Sequence, residues 1–464
     1  MSFTTEQYLL FAAIVAIIYW RIPRSWRAWY LTVCSYIFYI TWSAPMACVL
    51  AAITAVCYAA GVMIERAASE RRKAQITTVV TIALVAFIVF FKVLPLLKPT
   101  NNLLIPLGVS YYTFKLISYV LDVNWGVIQA ETSLPRFAAF VAFFPQIVAG
   151  PIQRKESFAD QFENAKSPDL KVIAMGVFRI LLGLFKKMFI ADRLGLAVDP
   201  GFAAPEAVDG LARLVSFYVF PLQLYADFSA LTDIANGTSL LFGMEGIENF
   251  DAPFSAASIS DYWRRWHMSL TGWLRDYVFT PLRMSLRNLG NVGLVLSVCG
   301  NMMLIALWHG FSAAFVVFGL IHSFFLSIDA VTASYRKRLY KKSVAARRVA
   351  AILGPIVTYH IVSAGNTFFR ARNFEQGWLL ISNLYRGLGH TAVDLRDLYF
   401  GLGGFVVVEI ADYGRRHGWQ SAALFSPRWM KWLTYSGIAV LYVFAIALLY
   451  ARNGVRSPFM YAGF

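Results

Sequence analysis

Apolar residues come in long unbroken blocks along this chain, most cleanly at 9–19, 46–63, 76–91, 294–307 and 433–450. A helix needs roughly 20 such residues to cross a hydrocarbon core about 30 Å thick. Lipid offers no partners to backbone polar groups, so a spanning block is a helix or part of a closed barrel. Barrel strands would alternate polar and apolar positions. These blocks do not. The pattern predicts an all-α, polytopic integral membrane protein with about eleven transmembrane helices plus re-entrant segments. The first block begins too near Met1 for a charged leader and shows no small-residue cleavage signal before Arg21. It reads as a retained helix rather than a signal peptide.

The middle of the chain is less regular. Residues 137–152 are apolar but carry Pro145, Gly150 and Pro151, and residues 215–228 contain Pro221, Gln223 and Asp227. Irregular or polar stretches at membrane depth survive only inside protein or around a cavity. Both are therefore expected to be re-entrant segments around a functional centre. There is no internal repeat of the transporter kind.

Composition agrees with the hydropathy. The 464 residues are 58% hydrophobic and 15% charged, against about 45–50% and about 25% in soluble domains. The formal net charge of +16 does not point to nucleic acid, because the basic residues sit in short loops between apolar blocks. Arg21, Arg24 and Arg27 form one cluster, and Arg66, Arg71, Arg72 and Lys73 a second. A third runs from Arg336 to Arg348, and a fourth holds Arg415, Arg416, Arg428 and Lys431. Placing all four in the cytoplasm puts both termini outside. Cys34, Cys48, Cys57 and Cys299 lie within apolar blocks and read as small buried hydrophobes, not a disulfide framework. No zinc pattern occurs.

Against this background a few polar residues stand out. The six histidines are His267, His309, His322, His360, His390 and His417. His309 lies between two apolar runs, in Ala306-Leu-Trp-His-Gly-Phe311. An ionisable residue there is a functional hypothesis by default, and a neutral imidazole can take a proton from a nearby hydroxyl. The other reading is a core histidine bonded to a backbone carbonyl. His267 follows Ser258-Ile-Ser-Asp261, which resembles a capping box. Trp263, Trp266, Leu270, Trp273 and Tyr277 then recur at helical spacing. With Arg264 and Arg265 they predict one amphipathic helix, either an interfacial anchor or a cationic surface for donor phosphates. Asp227 and Asp233 are two carboxylates in or near a membrane segment, expected to pair with basic groups of that Trp-Arg-Arg-Trp helix, a structural arrangement as often as a catalytic one. GxSxG, P-loop, HExxH and GxGxxG strings are absent.

Eight strings, in order, resemble the membrane-bound O-acyltransferase family. They are Pro106-Leu-Gly-Val-Ser-Tyr-Tyr-Thr-Phe114 with Tyr119 and Asp122, Phe143-Phe-Pro-Gln-Ile-Val-Ala-Gly-Pro-Ile152, and Gly183-Leu-Phe-Lys-Lys187 with Ala191-Asp192. Then follow Tyr225-Ala-Asp-Phe-Ser229, Asn249-Phe250, Tyr262-Trp-Arg-Arg-Trp-His-Met-Ser-Leu270, Leu274-Arg-Asp-Tyr-Val278 and Leu307-Trp-His-Gly310. The nearest branch resembles the bacterial proteins of alginate O-acetylation and teichoic-acid D-alanylation. One departure leaves the acyl group open: Thr280-Pro-Leu-Arg-Met-Ser-Leu-Arg287 stands where alginate-type members have Pro-Leu-Gly-Gly-Asn-Arg.

The resemblance implies a ring of helices around a thinned central funnel in a bacterial inner membrane. It implies one membrane-embedded domain: N-terminal helices over 1–100, a catalytic core over 101–328, C-terminal helices over 329–450 and an extracytoplasmic tail over 451–464. His309 would be catalytic and His267 the second family histidine. Trp263, Arg264, Arg265, Trp266, Asp227, Ser229, Asn249 and Trp308 would contact substrate or donor. No bound cofactor or metal is implied. The donor is a cytosolic thioester, acyl-CoA or an acylated carrier protein bearing phosphopantetheine, and an extracytoplasmic SGNH-type acyltransferase is the expected partner. The sequence ends Phe459-Met-Tyr461-Ala-Gly-Phe464, an F-x-Y-x-x-F ending similar to an acyl-relay tail, with Tyr461 as relay. The other reading makes those aromatics a belt at the bilayer surface. Two rivals remain: a transporter or flippase using His309 and Asp227, and a non-catalytic assembly platform.

Overall fold

A computed structural model describes residues 1–97, 106–387, 393, 395–416 and 459–460. Their regular elements are all helices, with no strand among the described residues, only an isolated bridge between Phe250 and Trp266. Six of the described helices are long and apolar enough to cross a membrane. The predicted span at 433–450 lies outside the described residues. The described chain falls into two compact units, Met1–Leu182 with Leu231–Glu248, and Gly183–Ala230 with Asn249–Phe464.

The first unit opens with α1 (Glu6–Arg21), α2 (Arg24–Ile40), α3 (Ala44–Glu65) and α4 (Glu70–Leu97). Thr5 and Ser43 cap α1 and α3 by accepting from Tyr8 N and Met46 N, and Pro23 separates α1 from α2. Then come α5 (Val109–Asn124), α6 (Leu134–Ala142), α7 (Lys155–Asn164) and most of α8 (Leu170–Phe185). The core is aromatic. The rings of Tyr8 and Phe38 lie 5.9 Å apart and those of Phe144 and Phe242 5.7 Å apart, and the Tyr8 hydroxyl donates to Thr238 Oγ1 at 3.0 Å.

Two of the family-like strings pack against each other here. Gly108 has φ +68°, and a Cβ on it would lie 1.9 Å from the Ile147 carbonyl oxygen. Glycine is the residue that tolerates both the left-handed backbone and the contact. Gly108→Ala is expected to destabilise the protein by about 1–3 kcal/mol, read as a lower melting midpoint in detergent. The stretch 143–153 leaves the helix after α6, as its prolines and glycine predict, and every residue in it is buried.

The second unit begins with a π-helical turn (Lys186–Ala191), α9 (Asp192–Ala203) and α10 (Gly210–Leu240), whose last ten residues belong to the first unit. The expected re-entrant segment at 215–228 is instead the interior of α10, continuous through Pro221. Its polar side chains have partners from elsewhere: Gln223 accepts from Arg370 Nη1 at 3.0 Å and Asp227 from Lys187 Nζ at 2.8 Å. Paired in this way, they can sit inside protein on an unbroken helix. Next come α11 (Ile259–Arg265), α12 (Met268–Leu274), a π turn (Arg275–Phe279) and α13 (Thr280–Ser285). The long helices α14 (Gly290–His309), α15 (Ala313–Lys342) and α16 (Val344–Arg370) follow, then α17 (Phe374–Ser382) and α18 (Leu395–Arg416). Among the cysteines, Cys34 and Cys57 are buried, but Cys48 is exposed. It sits on an outward face of α3, so being within an apolar block did not bury it.

Candidate active site

His309 is the last residue of α14, and its side chain is buried. Gly310 follows the helix with extended backbone (φ 174°, ψ 162°), and a Cβ there would meet the Phe315 ring at 2.5 Å. The bare backbone lets Phe315 stack beside the His309 imidazole, with centroids 6.1 Å apart and planes 17° apart. The Phe369 ring of α16 meets His309 edge-on at 4.6 Å. The histidine is thus set in aromatic walls on two sides.

His267 is placed differently. Ser258 caps α11, its Oγ accepting from Asp261 N at 3.2 Å, as the sequence predicts. Asp329 of α15 holds the same end, accepting from Ser260 N at 2.9 Å. The helix then stops. His267 takes φ 44° and ψ 52°, the left-handed region that a residue with a side chain rarely adopts. Asn249 holds it there: its carbonyl accepts from Met268 N at 3.0 Å and its Oδ1 from Ser269 N at 3.2 Å. The single amphipathic helix expected over 263–277 is therefore two short helices with His267 at the break.

The break turns Trp263, Trp266 and His267 onto one cavity together with His309. A third imidazole joins them, His322 of α15. Trp263 Nε1 donates to His322 Nδ1 at 3.3 Å. An indole N–H can only donate, so Nδ1 accepts and the proton of neutral His322 sits on Nε2. The free volume between these side chains is about 10 Å³, room for one water. No carboxylate, ammonium or guanidinium lines it among the described residues.

Other sequence-predicted residues fall nearby or elsewhere. Trp308 packs behind, its ring 6.2 Å from that of His267. Asn249 is buried as the brace of His267 rather than as part of the cavity wall. Arg264 and Arg265 both pair with Asp261 at 3.1 Å, and the Arg264 side chain is 73% exposed, so neither lines the cavity. Ser229 is buried within α10, its Oγ directed at the Ala226 carbonyl at 3.5 Å. Asp233 pairs in the first unit with Arg179 at 3.0 Å. Tyr461, His390 and His417 lie outside the described residues.

Asp227 forms a second polar centre. Its Oδ1 accepts from Lys187 Nζ at 2.8 Å, and that ammonium also lies 2.9 Å from Asp192 Oδ1. Asp227 Oδ2 accepts from the Met460 backbone N–H at 2.8 Å. Leu224, one turn earlier on α10, lines the histidine cavity, and Phe228 meets the His267 ring edge-on at 4.6 Å.

Residues 34–369, which hold all three cavity histidines, match the family model described as MBOAT, membrane-bound O-acyltransferase family. The chain belongs to that family. It is 31% identical over 518 residues, covering all of both chains, to a probable alginate O-acetylase of Azotobacter vinelandii. It is 30% identical to a peptidoglycan O-acetyltransferase of Helicobacter pylori, over 61% of this chain and 58% of that one. It is also 30% identical to a teichoic acid D-alanyltransferase of Bacillus subtilis, over 60% of this chain and 71% of that one. The protein is a membrane-bound O-acyltransferase.

Two parts of this arrangement were not singled out by sequence reasoning. His322 carried no local signal beyond being a histidine in an apolar run. Lys187 and Asp192 were visible only as letters of a family-like string, with nothing to show that they meet Asp227.

Proposed function

We propose that this O-acyltransferase takes an acyl group from a cytosolic thioester and passes it to a hydroxyl, with His309 as general base. The observation that carries this reading is a buried imidazole at a helix end, in a cavity lined by aromatic rings and two further imidazoles. The chemistry balances without another reactant. The acceptor hydroxyl gives its proton to His309, and its oxygen bonds to the acyl carbonyl carbon. The tetrahedral oxyanion collapses, the carbon–sulfur bond breaks, and His309 returns the proton to the departing thiolate. His322, with its proton fixed on Nε2, donates to the carbonyl oxygen as negative charge develops. His267 supplies the third imidazole on the same wall. Thioesters are already activated, so positioning and water exclusion supply most of what remains.

The hydroxyl is that of Tyr461, which relays the acyl group to an extracytoplasmic SGNH-type acyltransferase and so to a cell-envelope polymer. Relatives named for alginate and teichoic acid support a polymer as final acceptor. The donor is acyl-CoA or an acylated carrier protein docked on the cytoplasmic side. The protein lies in the bacterial inner membrane with both termini outside, which places the basic end of α15 and the start of α16 in the cytoplasm. Mass spectrometry of the 459–464 peptide, after membranes are given labelled acyl thioesters, tests the relay. An acyl adduct on Tyr461, absent from Tyr461→Phe and from His309→Ala, is the expected result. Continued acylation of polymer by Tyr461→Phe at the wild-type rate would mean direct transfer to sugar.

A further inference from the structure

Asp227 and Lys187 are almost fully enclosed, with side chains 1% and 2% exposed. Such a pair normally needs every oxygen and proton satisfied from within the protein. Here Lys187 bridges Asp227 and Asp192, so one ammonium faces two carboxylates. The second oxygen of Asp227 is taken by a backbone N–H from far along the chain, that of Met460. The preceding ring, Phe459, is itself buried and lies 5.0 Å from Lys187 Nζ, in cation–π range. Two features of the 459–460 segment are thus read by one ion pair: an aromatic ring by the cation and a backbone donor by the anion.

We propose that the Asp227–Lys187 pair is a clamp that holds the 459–460 segment on the stretch of α10 that also lines the histidine cavity. The placement fits. Asp227 is three residues beyond Leu224, which lines that cavity, a rise of about 4.5 Å along α10. The adjacent Phe228 touches His267. The clamp also gives the Phe-x-Tyr pattern a physical meaning. Phe459 is recognised through its ring and position 460 through its N–H alone, so position 460 accepts any residue except proline. Both oxygens of Asp227 are engaged, so it acts as a fixed acceptor and not as a proton carrier. The clamp itself stands on this geometry; its purpose in presenting Tyr461 rests on the relay reading above.

Photocrosslinking in the full chain, in membranes, tests it. p-Benzoylphenylalanine in place of Phe459 keeps an aromatic ring at that position. Crosslinks to peptides bearing Lys187 or Asp227 are expected. Adding Met460→Pro, which deletes the N–H, should lower their yield about tenfold or more, the scale of a hydrogen bond to a charged group. Met460→Ala, which keeps it, should not. Met460→Ala keeps every partner of Asp227, so its melting midpoint should hold, whereas Met460→Pro leaves the Lys187–Asp227 contact but strips Oδ2 of its donor, so its midpoint should fall modestly. Equal yields from the proline and alanine variants, or crosslinks only to other helices, would overturn the clamp. The intended crosslink with no acyl adduct on Tyr461, in a protein that still acylates polymer, would uphold the clamp and sink the relay.

Discussion

Replacing His309 with alanine is expected to lower the rate of acyl transfer by about 10²–10⁴-fold, the usual contribution of a positioned general base. The imidazole sits at the end of α14 against Phe315 and Phe369, so alanine also removes packing. His309→Gln separates the two effects, because glutamine fills most of the space and can hydrogen-bond but cannot take a proton at neutral pH. Both variants should transfer labelled acyl groups at the same low rate, with the glutamine variant closer to wild type in melting midpoint. The loss should appear in turnover and leave the KM for the thioester nearly unchanged, since the base acts on the acceptor. Single-turnover measurements in membranes would show it. A glutamine variant within tenfold of wild type would mean that His309 positions groups and removes no proton.

That histidine was legible from sequence because its setting is local. An imidazole between two apolar runs, followed by glycine, reads out of place without any knowledge of the fold. The break at His267 was not legible. Trp263, Trp266, Leu270 and Trp273 keep helical spacing across it, and the force that breaks the helix comes from Asn249, held opposite by tertiary structure. Periodicity cannot register a competing bond from another segment. The misreading of 215–228 has the same origin. Pro221, Gln223 and Asp227 look like breakers until Arg370 and Lys187 arrive from 147 and 40 residues away to satisfy the polar two. His322 reaches the cavity because α14 and α15 fold back on each other through Gly310 and Ser312. Hydropathy predicted both helices but not which face of α15 would look inward. The spans at 46–63, 76–91 and 294–307, the capping of α11 by Ser258 and the irregular, buried stretch after α6 were all written in nearest-neighbour chemistry. The site depends on partners that the sequence keeps far apart.

The largest expected effect on stability is at Lys187. Its ammonium lies between Asp227 and Asp192, at 2.8 and 2.9 Å. Methionine has similar length and no charge, so Lys187→Met keeps the packing and strands the Asp227 carboxylate in a dry interior. Breaking a buried pair from one side costs about 3–5 kcal/mol, a large share of the roughly 5–15 kcal/mol that holds a typical protein folded. Thermal unfolding in detergent should show a steep fall in midpoint, or no folded protein at all. The double change Lys187→Met with Asp227→Leu should recover much of the loss, because two apolar side chains can replace an ion pair at little cost. That rescued protein has no carboxylate to receive Met460, so it should fold and still fail to crosslink through position 459. A double variant that is no more stable than Lys187→Met alone would mean that Asp227 is not the stranded charge. A double variant that folds and crosslinks at the wild-type level would mean that the segment is held by something other than the ion pair.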